Sequence, residues 1–143
     1  MIKIMDLKNA EIPFARELLK ANGLPHTDIE NGPVQLFSIE QDNQNTGIIG
    51  FEQYGKHGLL RSFVIEEHYR SKGLGAQVLS KFEKMVIKQG IKEFYLLTAT
   101  ANKFFARNDY SVFDRSAVPE FISKTTEFNS LCPSSAVCMR KIL

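Results

Sequence analysis

Thirteen consecutive residues, Phe63-Val64-Ile65-Glu66-Glu67-His68-Tyr69-Arg70-Ser71-Lys72-Gly73-Leu74-Gly75, hold the densest chemistry in the sequence. They lie between an apolar run that reads as a strand and a long amphipathic segment that reads as a helix. Two glycines at such a junction let the backbone turn tightly and aim successive N–H groups at one point at the helix N-terminus, which binds anions. Arg70 and Lys72 add cationic side chains beside those amides, a combination suited to a pyrophosphate. Three readings of the loop compete on the residues alone. A phosphate-loop nucleotidase needs Gly-Lys-Ser/Thr at the close, which Gly75-Ala76-Gln77 does not supply. A dinucleotide fingerprint needs a small residue where the bulky Val78 stands. The third is a plain strand-to-helix turn with solvated cations, a common feature of α/β domains.

The elements that must hold this loop follow from periodicity. Ile2–Leu7 alternates as a strand; Asn9 offers an N-cap, and Pro13, Phe14, Leu18 and Ala21 continue a helix that Asn22-Gly23 stops. Leu24–Pro33 reads as a loop in which His26 and Asp28 are placed to face a ligand. Val34–Glu40 and Gly47–Tyr54 read as strands joined by a polar tip, Gln41–Thr46, and Gly55–Gly58 turns into a third, Leu59–Ile65. Leu74, Val78, Leu79, Phe82, Met85 and Val86 form a helical stripe with Gly90 as its stop. Phe94–Thr98 is a short apolar strand. A helix from Thr100 or Asn102 to Asn108-Asp109, a strand Tyr110–Phe113, a helix Glu120–Phe128 after Pro119 and a strand Ala136–Ile142 complete the order. This predicts an α/β (α+β) fold, a mixed central sheet of about seven strands flanked by helices.

A chain of 143 residues is the size of one domain, 1–143. Its net charge of +2 is too slight to predict a nucleic-acid or membrane partner. Between His68 and Lys92, however, six cations face one acid, Glu83, so a local charge of +5 lies on the loop and the helix after it. The two cysteines, Cys132 and Cys138, form no disulfide framework or four-ligand metal site, and His26 and His57 lack partners at metal spacing and read as surface residues. No signal peptide or membrane span is recognisable, which makes a cytoplasmic protein without a metal the expectation.

The arrangement Val64-x5-Arg70-x2-Gly73-x-Gly75, between a strand and a long helix, resembles the coenzyme A pyrophosphate loop of the GNAT superfamily of N-acetyltransferases. The strand order agrees, Phe104–Tyr110 resembles the superfamily's aromatic segment, and the resemblance runs from Ile2 to Leu143. It implies acetyl-CoA as co-substrate and a small-molecule amine as acceptor. In that scheme Leu59–Ile65 splays from Phe94–Thr98, the pantetheine arm bonds to backbone near Phe63, Val64 and Ile65, and the pyrophosphate rests on Arg70, Ser71, Lys72, Gly73, Leu74 and Gly75, with Asn102 and Phe105 beside the cofactor. The catalytic role given to Val64 is that of a backbone N–H polarising the thioester carbonyl, a contribution of ~2.7–4 kcal/mol for one such donor.

Glu52 is the resemblance's first candidate for the base, with Glu66 and Glu67 behind it; the competing reading of Glu52 is a solvent-facing strand carboxylate. Arg61 and Ser62 are candidates to bind an acidic group of the substrate, against a salt bridge for Arg61 and an outward-facing Ser62. Where family members often carry an acid tyrosine, this chain has Phe105, which cannot donate a proton. The departing thiolate then relies on water or on Tyr95, Thr98 or Asn102, or else the chain is a non-catalytic acyl-CoA-binding or thiol-based sensor module. The segments Leu59–Ser62, Leu96–Thr100 and above all Phe128–Met139 look like the ArsN-type acetyltransferases of arsenic-resistance operons. By that analogy Cys132 and Cys138 would bind a trivalent arsenical, whereas their ordinary reading is that of small buried hydrophobes. A homodimer is compatible with such a small sheet.

Overall fold

The computed structural model describes residues 1–30, 32–70, 73–131 and 135–143. Strand β1 (Ile2–Asp6) leads into helix α1 (Ile12–Ala21), then a meander of β2 (Gln35–Gln41), β3 (Gln44–Tyr54) and β4 (His57–Ile65). Helix α2 (Leu74–Ile87), β5 (Glu93–Thr98), α3 (Asn102–Arg107), β6 (Ser111–Val112), α4 (Glu120–Ser123) and β7 (Val137–Ile142) follow. The seven strands form one sheet in the order β1-β2-β3-β4-β5-β7-β6. Every neighbouring pair is antiparallel except β4 and β5.

Several boundaries differ from the sequence expectation for local reasons. The tip between β2 and β3 is only Asp42-Asn43, both at positive φ (53° and 65°), the geometry a two-residue hairpin turn demands. Asn9 does not cap α1; it opens a single 3-10 turn, Asn9–Glu11, whose Glu11 carboxylate accepts the Lys8 N–H at 2.9 Å. The helix expected over Glu120–Phe128 is broken. Thr125 donates its hydroxyl to the Ile122 carbonyl at 2.7 Å and accepts the Phe128 N–H at 3.3 Å, so its side chain competes with the backbone, and a π-helical turn, Glu127–Leu131, follows α4.

A β-bulge in β4 sets which side chains face which way. Ile48 pairs with Val64 but Gly50 with Arg61, so β4 carries one residue more than β3 over this stretch. Ser62, at φ +57°, lies in the bulge. Gly47 is fixed by the same pairing, since a Cβ there would lie 2.1 Å from the Val64 carbonyl oxygen. The bulge keeps Leu60, Phe63 and Ile65 on the α2 face, where Val78, Leu79, Phe82 and Val86 pack against Phe51 and Phe94. Full burial of each such side chain contributes about 1.5–3 kcal/mol. On the opposite face Val64 joins Ile48, Ala15 and Leu19 under α1, and Leu59 joins Tyr95, Ile122 and Phe128 under the C-terminal segment. Arg61 lies between those two apolar clusters.

Candidate functional site

Strands β4 and β5 pair only through His57–Glu93, Gly58–Phe94 and Leu59–Tyr95. Beyond that point β4 stays with β3 as far as Ile65, and β5 stays with β7 as far as Thr98. The sheet therefore opens as a V with its apex at Leu59 and Tyr95. The edge of β4 at Phe63 and Ile65 faces the opening, where it has no strand partner, whereas Val64, expected from the sequence to offer its N–H there, lies opposite Ile48 and turns its amide to β3, because backbone groups alternate in direction along a strand.

At the wide end of the V stands the start of α2. Gly73, at φ +72° and ψ 6°, is its N-cap, a left-handed conformation natural to glycine. The first intrahelical bond is from the Gln77 N–H to the Gly73 carbonyl at 3.3 Å, which leaves the amides of Leu74, Gly75 and Ala76 without helical acceptors. Leu74 is buried and anchors the turn. A Cβ on Gly75 would meet the Phe104 ring at 3.2 Å, so glycine there lets α3 pack on the loop. Phe104, packed edge-on against Phe63 at 6.1 Å, is the ring beside the loop. Phe105, which the sequence reading places against the cofactor, points instead into the core against Tyr110, because helical phase turns adjacent residues apart. Asn102 is the exposed first residue of α3.

Arg70 is exposed, with Nε donating to the Ile65 carbonyl and Nη2 to Asn22 Oδ1, both at 2.7 Å, so it ties the end of β4 to the end of α1. Ser71 and Lys72 lie outside the described residues, as does Cys132. Cys138 is buried, and desolvation pushes its thiol up to about 11.

Just beyond the apex, on the face away from α2, is a buried charged cluster. Arg61 donates from Nη1 and Nη2 to the two oxygens of Asp28, at 2.6 and 2.7 Å, and from Nη1 to Glu52 Oε2 at 2.9 Å. Its Nε donates to Ser62 Oγ at 3.3 Å and lies 4.0 Å from Glu127 Oε1. Tyr54 donates its hydroxyl to Glu52 Oε1. Burial alone would lower the Arg61 value, but its bond to Asp28, the charge of Glu127 and the bond to Glu52 outweigh that and hold it protonated. Burial, then the bond to Glu52, raises the Tyr54 phenol. Glu127 is pushed up to about 8, chiefly by burial, against the lowering pull of Arg61.

The sequence candidates therefore separate. Glu52 is buried, with 1% of its surface exposed, rather than solvent-facing. Arg61 forms the salt bridge of its alternative reading, with four of its five N–H donors engaged by Asp28, Glu52 and Ser62. Ser62 is buried in the bulge rather than outward-facing. Asp28 turns from the loop onto Arg61. His57 is no plain surface residue: its Nδ1 contacts Glu93 and its ring packs on Phe121 at 5.2 Å. Of the proton donors considered, Tyr95 donates to Glu93 at 3.0 Å, and burial first, then that bond, pushes it up to about 12. Thr98 accepts the Ala101 N–H at 2.9 Å. Tyr110 is bound to Glu83 at 2.8 Å. Sequence reasoning missed Glu127. It stands beside Phe128 in a polar run, Lys124–Ser130, which carries no signal that the acid is buried.

Among the described residues no group of three or more His, Cys, Asp or Glu side chains could hold a metal ion, and no helix is long and apolar enough to cross a membrane.

Comparison with known proteins names the class to which this opened sheet and glycine-capped helix belong. Residues 4–110 match the acetyltransferase (GNAT) family, and the chain belongs to that family. It is 28% identical over 79 residues to an uncharacterized N-acetyltransferase of Chlorobaculum tepidum, an alignment covering 55% of this chain and 48% of the relative. The chain thus spans about half the length of that protein. N-acetylglutamate synthase of Neisseria gonorrhoeae, solved with coenzyme A and N-acetyl-glutamate, superposes with a TM-score of 0.81 at 16% identity over 100% of this chain and 35% of that one. GCN5 of Tetrahymena superposes with a TM-score of 0.78 at 14% identity, over 98% and 95% of the two chains.

Proposed function

We propose that this chain transfers the acetyl group of acetyl-CoA to the amine of a small molecule. The parting of β4 from β5 beside the glycine-capped start of α2 carries the reading. It provides one unpaired strand edge for the amide-bearing arm of the cofactor and one group of free amides for its pyrophosphate. The edge at Phe63 and Ile65 takes the arm; Arg70, Ser71, Lys72, Gly73, Leu74 and Gly75 take the phosphates, with Asn102 and Phe104 at the rim. An N–H of that free edge polarises the thioester carbonyl, and Val64, whose amide turns to β3, is not its source. An uncharged amine attacks, the N–C bond forms, the C–S bond breaks, the sulfur leaves as thiolate, and the nitrogen sheds one proton. Positioning supplies most of the effect, as expected of direct transfer between two bound reactants.

The acceptor enters on the face of Glu52 and Arg61, since α2 fills the other. Glu52, the strand carboxylate first considered as the base, has one oxygen on Arg61 and the other on Tyr54, and in this reading it holds that face of the site in place. We also place the chain, on its Phe128–Met139 segment, with the arsenic-resistance acetyltransferases, as a cytoplasmic protein forming one domain over residues 1–143; the buried Cys138 has no part in the chemistry. A second reading, an acyl-CoA-binding sensor without turnover, is favoured by the engaged hydroxyls of Tyr95 and Tyr110. A thiol-release assay with acetyl-CoA and a panel of small amines tests the proposal. Release dependent on an amine supports transfer, binding of acetyl-CoA with no release on any amine supports the sensor, and no binding refutes both.

A further inference from the structure

The buried cluster holds three carboxyl groups, Asp28, Glu52 and Glu127, around the single guanidinium of Arg61. Both oxygens of Asp28 are taken by Arg61, and those of Glu52 by Arg61 and Tyr54. Glu127 is different. It has 3% of its surface exposed, and its Oε2 is buried with no hydrogen-bond partner among the described residues. A buried acceptor oxygen without a donor is costly and uncommon in folded proteins, and one kept beside a site calls for a donor from outside.

We propose that Glu127 is the carboxyl that receives the ammonium group of the acceptor and takes its proton, which makes the acceptor a primary amine without a neighbouring carboxylate. The inference rests on the acetyl-transfer reading. Arg61 lies two residues past Leu59, where β4 and β5 part, so the cluster stands at the apex of the V on the face where the acceptor enters. An ammonium brings three N–H donors and a positive charge to a cluster that has excess negative charge and one unused buried acceptor. A carboxylate next to the amine would meet the same negative excess and an Arg61 already paired with Asp28 and Glu52. In the proton step one N–H bond of the ammonium breaks, an O–H bond forms on Glu127, and both charges disappear, leaving a neutral amine and a neutral carboxyl. The charged groups facing Glu127 are Arg61 from β4, Glu52 from β3 and Asp28 from the loop after α1. Burial together with the two acids favours its protonated form and Arg61 opposes it, so the group titrates near neutral pH, where a base is most effective.

Protein carrying 13C in its glutamate side-chain carboxyls is titrated by NMR in the presence of coenzyme A, with n-butylammonium chloride as probe and 1-butanol as the uncharged control. The Glu127 resonance is the one absent from E127Q, or from Glu127→Asp where E127Q does not fold. The expected result is an apparent Glu127 pKa at least one pH unit lower with n-butylammonium and unchanged with butanol. In E127Q, or in Glu127→Asp, the probe binds at least tenfold more weakly while coenzyme A affinity stays within twofold. An unresponsive Glu127 at saturating salt, or unchanged probe affinity in the variant, overturns the assignment. Failure of coenzyme A to bind the wild type defeats the transfer reading instead, so the two failures are distinct.

Discussion

Replacing Glu127 by Gln isolates the cost of burying an ionisable group in the Arg61 cluster. In the unfolded chain the carboxyl titrates at its ordinary value of 4.5; in the fold burial holds it at about 8. Between those limits the native state keeps a proton that the unfolded state has released. The advantage of the protonated form is complete below 4.5, declines as pH rises, and is gone once pH passes the folded value. At about 1.4 kcal/mol per pH unit the wild type loses on the order of 5 kcal/mol across this window, an upper limit because water reaching the cluster past Asp28 relieves part of it. The side-chain amide that E127Q introduces carries no charge at any pH. Urea unfolding of both proteins at pH 5, 7 and 9 reads the difference directly: the stability of the variant relative to wild type should rise by several kcal/mol from pH 5 to 9. Parallel stability curves would show that Glu127 ionises freely in the fold, and a relative fall would reverse the sign of the argument.

Three further outcomes follow from the geometry. Arg61→Met leaves Asp28, Glu52 and Glu127 without their cation and should cost about 3–5 kcal/mol by urea unfolding, with part regained in Arg61→Met/Glu52→Gln; a loss below about 1 kcal/mol contradicts the cluster's energetics. Gly73→Ala has open space for its Cβ but must hold φ +72°, a strain of about 1–2 kcal/mol, and should weaken acetyl-CoA binding at least tenfold. Gly90→Ala, at φ +94° after the far end of α2 and equally unobstructed, serves as the control, with strain but unchanged affinity. In a Cys132→Ser background, Cys138, whose thiol is raised to about 11, should react with an aromatic disulfide at pH 8 only after unfolding; prompt reaction in the native protein would contradict its burial.

The parts of this fold that repeat locally could be read from the chain. The stripe Val78, Leu79, Phe82, Val86 dictates α2, and Gly73 before Leu74 dictates the turn that opens it. What tertiary structure decides could not be read in that way. The bulge at Ser62 sits in a run, Leu59–Ile65, whose residues give no sign of a change in parity, yet it places Arg61 and Val64 on one face. Glu127 reaches Arg61 only because Thr125 interrupts a helix that periodicity alone would continue. Phe104 and Phe105 are indistinguishable by type, and only the phase of α3 sends one to the loop and the other to the core. Glu52 was legible as a candidate from its strand, but its burial and its bonds to Arg61 and Tyr54 depend on register with β4.

Amide hydrogen exchange with and without acetyl-CoA tests most directly whether the opening between β4 and β5 is the cofactor site. Slowed exchange confined to Phe63 and Ile65 on β4 and to Leu74, Gly75 and Ala76 at the start of α2 is the expected result. Binding that leaves both stretches unprotected, or no binding at all, would contradict it.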